Sequence, residues 1–103
     1  MIVLATRTFQ DDMNALSKDD YSLAKNFAAT IYKFLCTVKS TKELFEIPFS
    51  NYRVYREMGK TIQGFESNYD IYKISFEKFN IIFAIAKSGD PVCCYPVNLK
   101  VVN

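Results

Sequence analysis

The apolar positions of this chain change period once, and that change decides its architecture. From Leu23 the large apolar residues step by four, four, four and three, through Phe27, Ile31 and Leu35 to Val38. Such steps return to one side of an α-helix, and Lys25, Asn26, Thr30, Lys33 and Thr37 fall off that stripe. A shorter stripe of the same kind, Phe9, Met13 and Leu16, precedes it. From residue 69 the step becomes two, with Tyr72, Ile74 and Phe76 on one face and Ile71, Lys73 and Ser75 on the other. Phe79–Ala86 is apolar on both faces apart from Asn80, as a central strand is.

The remaining segments fill in around these. Residues 2–5 form a short β-type run. Thr8 is the expected cap of the first helix, with Asp11 and Asp12 in its first turn, where the helix dipole favours anions. Ser17-Lys18-Asp19-Asp20 restarts the chain before the second helix. Ser40-Thr41-Lys42-Glu43 has capping-box form and predicts a helical turn over 41–46, which Pro48 stops. Residues 52–56 alternate as a strand with Arg53 and Tyr55 on one face, and 59–68 form a loop. A tight turn at Glu77-Lys78 leads into the central strand, and Ser88-Gly89-Asp90-Pro91 is a second turn. In the last strand, 92–101, Pro96 demands an edge position or a bulge, because it cannot donate to a ladder. The expected fold is therefore α+β in a single domain, 1–103: a leading strand, two helices, then an antiparallel sheet of three to four strands. The helices cover one sheet face, which leaves Lys73, Ser75 and Arg53 on the other.

Composition removes much of the chemistry such a domain could carry. There is no histidine, which excludes histidine general acid–base catalysis, the Ser-His-Asp and Cys-His systems and nearly all zinc sites. The three cysteines, Cys36, Cys93 and Cys94, are odd in number and lack C-x-x-C spacing. With no basic–apolar leader, they imply reduced thiols in a cytoplasmic chain. Cys36 is expected to be packed, and Cys93 and Cys94 to point to opposite faces of a strand, one buried and one more exposed. No apolar stretch is long enough to span a membrane. Gly59-Lys60-Thr61 resembles the tail of a phosphate-binding loop, but the glycine such a loop needs upstream is missing. The adjacent carboxylates Asp11-Asp12 and Asp19-Asp20 are accounted for by capping. No metal and no cofactor is implied.

What remains is a set of basic side chains mixed with aromatics. Arg53, Arg56, Lys60, Lys73, Lys78 and Lys100 lie among Tyr52, Tyr55, Tyr69, Tyr72 and Tyr95. The net charge is only +2, but residues 21–60 carry an excess of four positive charges while residues 1–20 are net acidic. Lys and Arg neutralise phosphates, and tyrosine rings stack on unpaired bases. RNA also carries its own nucleophile, the 2′-hydroxyl, so RNA cleavage is the hydrolytic chemistry that this histidine-free inventory supports most naturally.

The order of elements resembles the RelE/ParE superfamily of bacterial toxins. Thr8-Phe9-Gln10-Asp11-Asp12-Met13 and Leu16 look like that family's first helix, which opens with a Phe soon after the leading strand. Tyr72-Lys73-Ile74-Ser75-Phe76, the turn Glu77-Lys78 and then Phe79-Asn80-Ile81-Ile82-Phe83-Ala84-Ile85 look like its sheet phrase. The resemblance implies a curled sheet, RNA cleavage at the ribosome or gyrase poisoning, and an antitoxin partner. It places Lys73 and Tyr95 in the catalytic positions, with Lys100 after Tyr95, while the basic–aromatic set supplies Arg53, Arg56, Lys60, Lys78 and Lys100 as the RNA-binding charges. Asn80 stands where the second strand's Arg would be, and Val92-Cys93-Cys94 replaces the Arg expected before the C-terminal aromatic.

Two functions follow as expectations. One is a RelE-like toxin that cuts RNA, mRNA at the ribosome, through Lys, Arg and Tyr side chains and pairs with an antitoxin. The other is a non-catalytic phage or bacterial protein that inhibits a host or defence complex by covering a surface, as anti-CRISPR-type inhibitors do.

Overall fold

A computed structural model describes residues 1–46, 52–76 and 78–101. The expected stop at Pro48 and the Glu77 half of the expected turn lie outside the described residues. The fold is α+β. In chain order it runs β1 (Ile2–Val3), α1 (Arg7–Asp19), α2 (Tyr21–Phe27), a π-helical turn (Ala28–Tyr32), α3 (Lys33–Thr37), a 3₁₀ turn (Thr41–Phe45), β2 (Tyr52–Arg56), β3 (Tyr69–Phe76), β4 (Phe79–Ala86) and β5 (Cys93–Val101). The five strands form one sheet in the order β1-β5-β4-β3-β2. The β2–β3, β3–β4 and β4–β5 pairs are antiparallel, whereas β1 runs parallel to β5 and makes the sheet mixed.

The stripe from Leu23 to Val38 explains the π turn. At about 3.6 residues per turn, each step of four overshoots a full turn by about 40°, so successive steps walk an apolar stripe around the helix. The wider turn over Ala28–Tyr32 absorbs the surplus residue, and Phe27, Ile31, Leu35 and Val38 all reach the core. Leu23, the first member of the stripe, is only partly buried. Phe27 packs at 5.6 Å on Phe79 and at 6.3 Å on Phe9, which joins both helical segments to the central strand β4.

Several local expectations are corrected. The N-cap of α1 is Thr6, not Thr8: its Oγ1 accepts from the Phe9 N–H at 3.2 Å. Thr6 is held there by β5, since its N–H donates to the Pro96 carbonyl and its hydroxyl to the Val97 carbonyl. Starting the helix at Arg7 moves Asp11 and Asp12 out of the first turn. Asp11 pairs with Arg7 across the exposed face at 3.5 Å, while the Asp12 carboxylate accepts from the Leu99 N–H at 2.9 Å. The two-residue β1 covers only the start of β5, so Thr6 and Asp12 satisfy the edge that it leaves open. Asp20 both ends α1 and caps α2, accepting from Leu23 N–H. At the 3₁₀ turn, Glu43 reaches back to the Lys39 N–H rather than to Ser40, and Ser40 makes no side-chain cap. Cys36, expected to be packed, is exposed, while Cys94 is buried and Cys93 intermediate.

Pro96 sits in an interior strand at a bulge. The β4–β5 register passes from Ile82↔Asn98 to Phe83↔Pro96, which leaves Val97 as the extra residue. The bulge resets the alternation of β5. Tyr95 pairs with Ala84 while Asn98 and Lys100 pair with Ile82 and Asn80, so all three share the face turned away from the helices.

Candidate functional site

Alternation along β3 and β4 sends Tyr72, Ile74, Phe76, Phe79, Ile81, Phe83 and Ile85 to the helix side, where they are buried. It sends Lys73, Ser75, Asn80 and Ile82 to the opposite side, where no helix of the described residues packs. From β2, Arg53 pairs with Ser75 and Tyr55 with Lys73, so both join this open face as expected. The segment after β2 then folds back over it. Gly59, at φ +73°, takes a left-handed conformation that other residues adopt only with strain. The Lys60 that follows, with Ile62, becomes one wall of a cleft of about 350 Å³ whose other lining is Lys73, Asn80, Ile82, Asn98 and Lys100.

Three lysines thus line the cleft together with two isoleucines, Ile62 and Ile82. Lys73, at the centre, is held by two contacts: Nζ lies 3.7 Å from the Glu57 carboxylate and 5.1 Å from the centre of the Tyr55 ring. Ser75 Oγ donates to Asn80 Oδ1 at 2.7 Å, which fixes the Asn80 side chain on the cleft wall. Asn98 Oδ1 is buried and has no hydrogen-bond partner among the described residues.

Tyr95 lies further along the same face, in an aromatic trio. Its ring centre is 5.3 Å from that of Phe65 and 5.8 Å from that of Tyr69, and Phe65 and Tyr69 meet edge to face at 5.1 Å. Tyr95 pairs with Ala84 and Ala84 with Ile71, and both Ile71 and Ala84 are buried although they lie on the face away from the helices. Burial, followed by the neighbouring Cys93 and the Tyr69 hydroxyl, raises the Tyr95 pKa above its ordinary value. At neutral pH its hydroxyl is therefore protonated, able to donate and orient but not to act as a base.

The structure brings Lys60, Lys73 and Lys100 together around the cleft and sets Arg53 and Tyr95 beside it on the same face. It does not bring in the other two residues expected to bind RNA. Arg56 pairs with Tyr72, whose side chain faces the helices, and its guanidinium bonds Asp70 Oδ1 at 2.9 Å. Lys78 is exposed beyond the cleft, between β3 and β4. Asn98 and Ile62 are cleft residues that the charge-and-aromatic reading missed. Only the spacing of Asn98 two before Lys100 could have pointed to it.

Neither the thiols nor the carboxylates make a second centre. Burial pushes the Cys94 thiol up to about 12, partly offset by the Met1 amino group, so the thiol is inert near neutral pH. Among the described residues, no group of three or more Cys, Asp or Glu side chains is placed to hold a metal ion. Among them, too, no helix is long and apolar enough to cross a membrane. No family model, no curated protein and no solved structure matches this chain.

Proposed function

We propose that this chain is a RelE-like toxin that cleaves RNA, mRNA at the ribosome, and that an antitoxin neutralises it by covering the basic face. The observation that carries this reading is the lysine cleft beside an aromatic trio on one sheet face, opposite the helices. Lys60, Lys73 and Lys100 hold phosphates, and the Phe65–Tyr69–Tyr95 trio offers ring faces and edges to unpaired bases. The attacking group is the RNA's own 2′-hydroxyl, which gives its proton to solvent water and closes a 2′,3′-cyclic phosphate as the bond from phosphorus to the 5′-oxygen breaks. Lysine charge stabilises the negative charge that builds on the phosphorus oxygens, and the protonated Tyr95 hydroxyl orients or donates to the departing 5′-oxygen. Induced expression, with translation rate and transcript ends measured, tests this. Translation arrest with cut transcripts is expected, and Lys73→Ala together with Lys100→Ala abolishes both. Normal growth with intact transcripts, or a Lys73→Ala variant as active as the unaltered protein, overturns it.

One observation favours a second reading. Lys73 is paired with Glu57, and Tyr95 is seated with Phe65 and Tyr69 rather than against Lys73. A surface that binds without cutting suits that arrangement, and the chain is then an inhibitor of a host or defence complex. A pull-down separates the two: ribosomes and an antitoxin on one side, a single stoichiometric protein complex on the other.

A further inference from the structure

The turn that carries Lys60 over the open face also places Glu57. The Glu57 N–H donates to the Ile71 carbonyl at 2.8 Å, and the Glu57 carbonyl accepts from the Lys60 N–H at 3.4 Å, with Gly59 between them at φ +73°. Glu57 stands two residues after Tyr55, the cross-strand partner of Lys73, so its side chain takes the diagonal position on the same face. There its carboxylate lies 3.7 Å from Lys73 Nζ. Lys60 and Lys100, which line the cleft with Lys73, make no ion pair among the described residues. One turn thus adds a cation to the cleft and sets an anion against the lysine at its centre.

A carboxylate and a phosphodiester make the same demand on an ammonium, which gives its N–H groups to negatively charged oxygens. Both cannot hold Lys73 Nζ without repelling each other at close range. Resting on the reading of this face as RNA-binding, we propose that Glu57 is an internal stand-in for a phosphate: it holds Lys73 in the free protein and gives way when a strand phosphate reaches the cleft. Lys73 then adds little net affinity, because one anion replaces another. Lys60 and Lys100 supply most of the binding, and Glu57 limits how tightly the face holds a strand.

Fluorescence anisotropy of one short single-stranded RNA, titrated at several salt concentrations, tests this. Glu57→Gln is expected to tighten binding about two- to fivefold. It is also expected to steepen the slope of log affinity against log salt by about 0.7, because Lys73 then waits unpaired for one more phosphate. Asp19→Asn raises the net charge equally at the exposed end of α1 and is expected to leave affinity and slope nearly unaltered. In a Lys73→Ala background the gain from Glu57→Gln is expected to fall well below its value with Lys73 present, since only repulsion between carboxylate and strand is left to relieve. Lys73→Gln serves as that background if the alanine variant does not fold. An unchanged affinity in Glu57→Gln, a gain matched by Asp19→Asn, or a gain as large without Lys73 as with it overturns the proposal while leaving the RNA-binding face intact. Failure of both the unaltered protein and Glu57→Gln to bind the strand overturns the RNA reading itself, and the proposal with it.

Discussion

The two faces of the sheet come from the same strands, residue by residue in alternation, and they have opposite chemistry. On the helix side, Phe27, Ile31, Ile74, Phe79, Ile81 and Phe83 are essentially fully buried, and no charged or polar residue is buried with them among the described residues. On the open side, Lys60, Lys73 and Lys100 surround a cleft that holds a buried acceptor without a partner. The first face spends its residues on folding. The second carries three lysines around a cleft and spends few residues on packing, and so it is where binding is to be sought. Substitutions on the two faces should therefore separate stability from binding.

The largest effect is expected on the closed face. Phe79→Ala removes a ring that is 1% exposed and packed on Phe27, and should cost about 3–5 kcal/mol in denaturant unfolding. For whatever fraction remains folded, strand binding should be unchanged. A loss below about 1 kcal/mol would mean that the helices do not close over β4 as described.

Cys94 tests the dryness of the same face through pH. Its thiol has an ordinary value of 9.0, which burial pushes up to about 12. Between those values the unfolded chain has released this proton and the folded chain has kept it, so stability falls as pH rises through that window and is fully present below it. Cys94→Ala removes this contribution. The loss of stability from about pH 8 to about pH 11 should then be smaller in the variant than in the unaltered protein, by on the order of a few kcal/mol. Identical pH dependence would mean that water reaches Cys94. Alkylation should show the matching order at neutral pH, Cys36 first, Cys93 next and Cys94 only on unfolding.

The next effect belongs to the edge of β5, where a pair of adjacent carboxylates splits into two roles. Asp12→Ala strips the Leu99 N–H of its acceptor and should cost about 1.5–3 kcal/mol. Asp11→Ala breaks only an exposed ion pair with Arg7 and should stay within about 0.5 kcal/mol. Equal effects would remove Asp12 as the group that closes the edge.

The closed face was readable in the sequence because apolar period is set by burial. The stripe from Phe27 to Val38 and the alternation around Tyr72, Ile74 and Phe76 each point to the face that they occupy. The misplaced features depend on contacts distant in sequence. Thr6 rather than Thr8 caps α1 because two carbonyls of β5 hold Thr6 in place, and nothing local distinguishes the two threonines. The open face was readable only in part. Strict alternation puts Tyr95 and Lys100 on opposite faces, and the extra residue Val97 reunites them. Pro96 marked a bulge or an edge but not which residue would be extra. Charge alone groups Arg56 with Arg53, although three residues along a strand reverses the face.

The smallest stability effects, with the largest binding effects, are expected on the open face. Lys100 is exposed and makes no ion pair among the described residues, so Lys100→Ala should change stability by less than about 0.5 kcal/mol. The same change removes one of three charges from the cleft. Affinity for a single strand should fall, and the slope of log affinity against log salt should shallow by about 0.7, the share of one phosphate contact. Arg56→Ala removes a charge of the same sign whose guanidinium is tied to Asp70 on the helix side of the strand. It should leave both the affinity and the salt slope nearly unaltered, at a cost of about 0.5 kcal/mol in stability. If the two variants weaken binding equally, the strand is sensing net charge rather than this cleft. The division between a folding face and a binding face would then fail at the residue that defines it best.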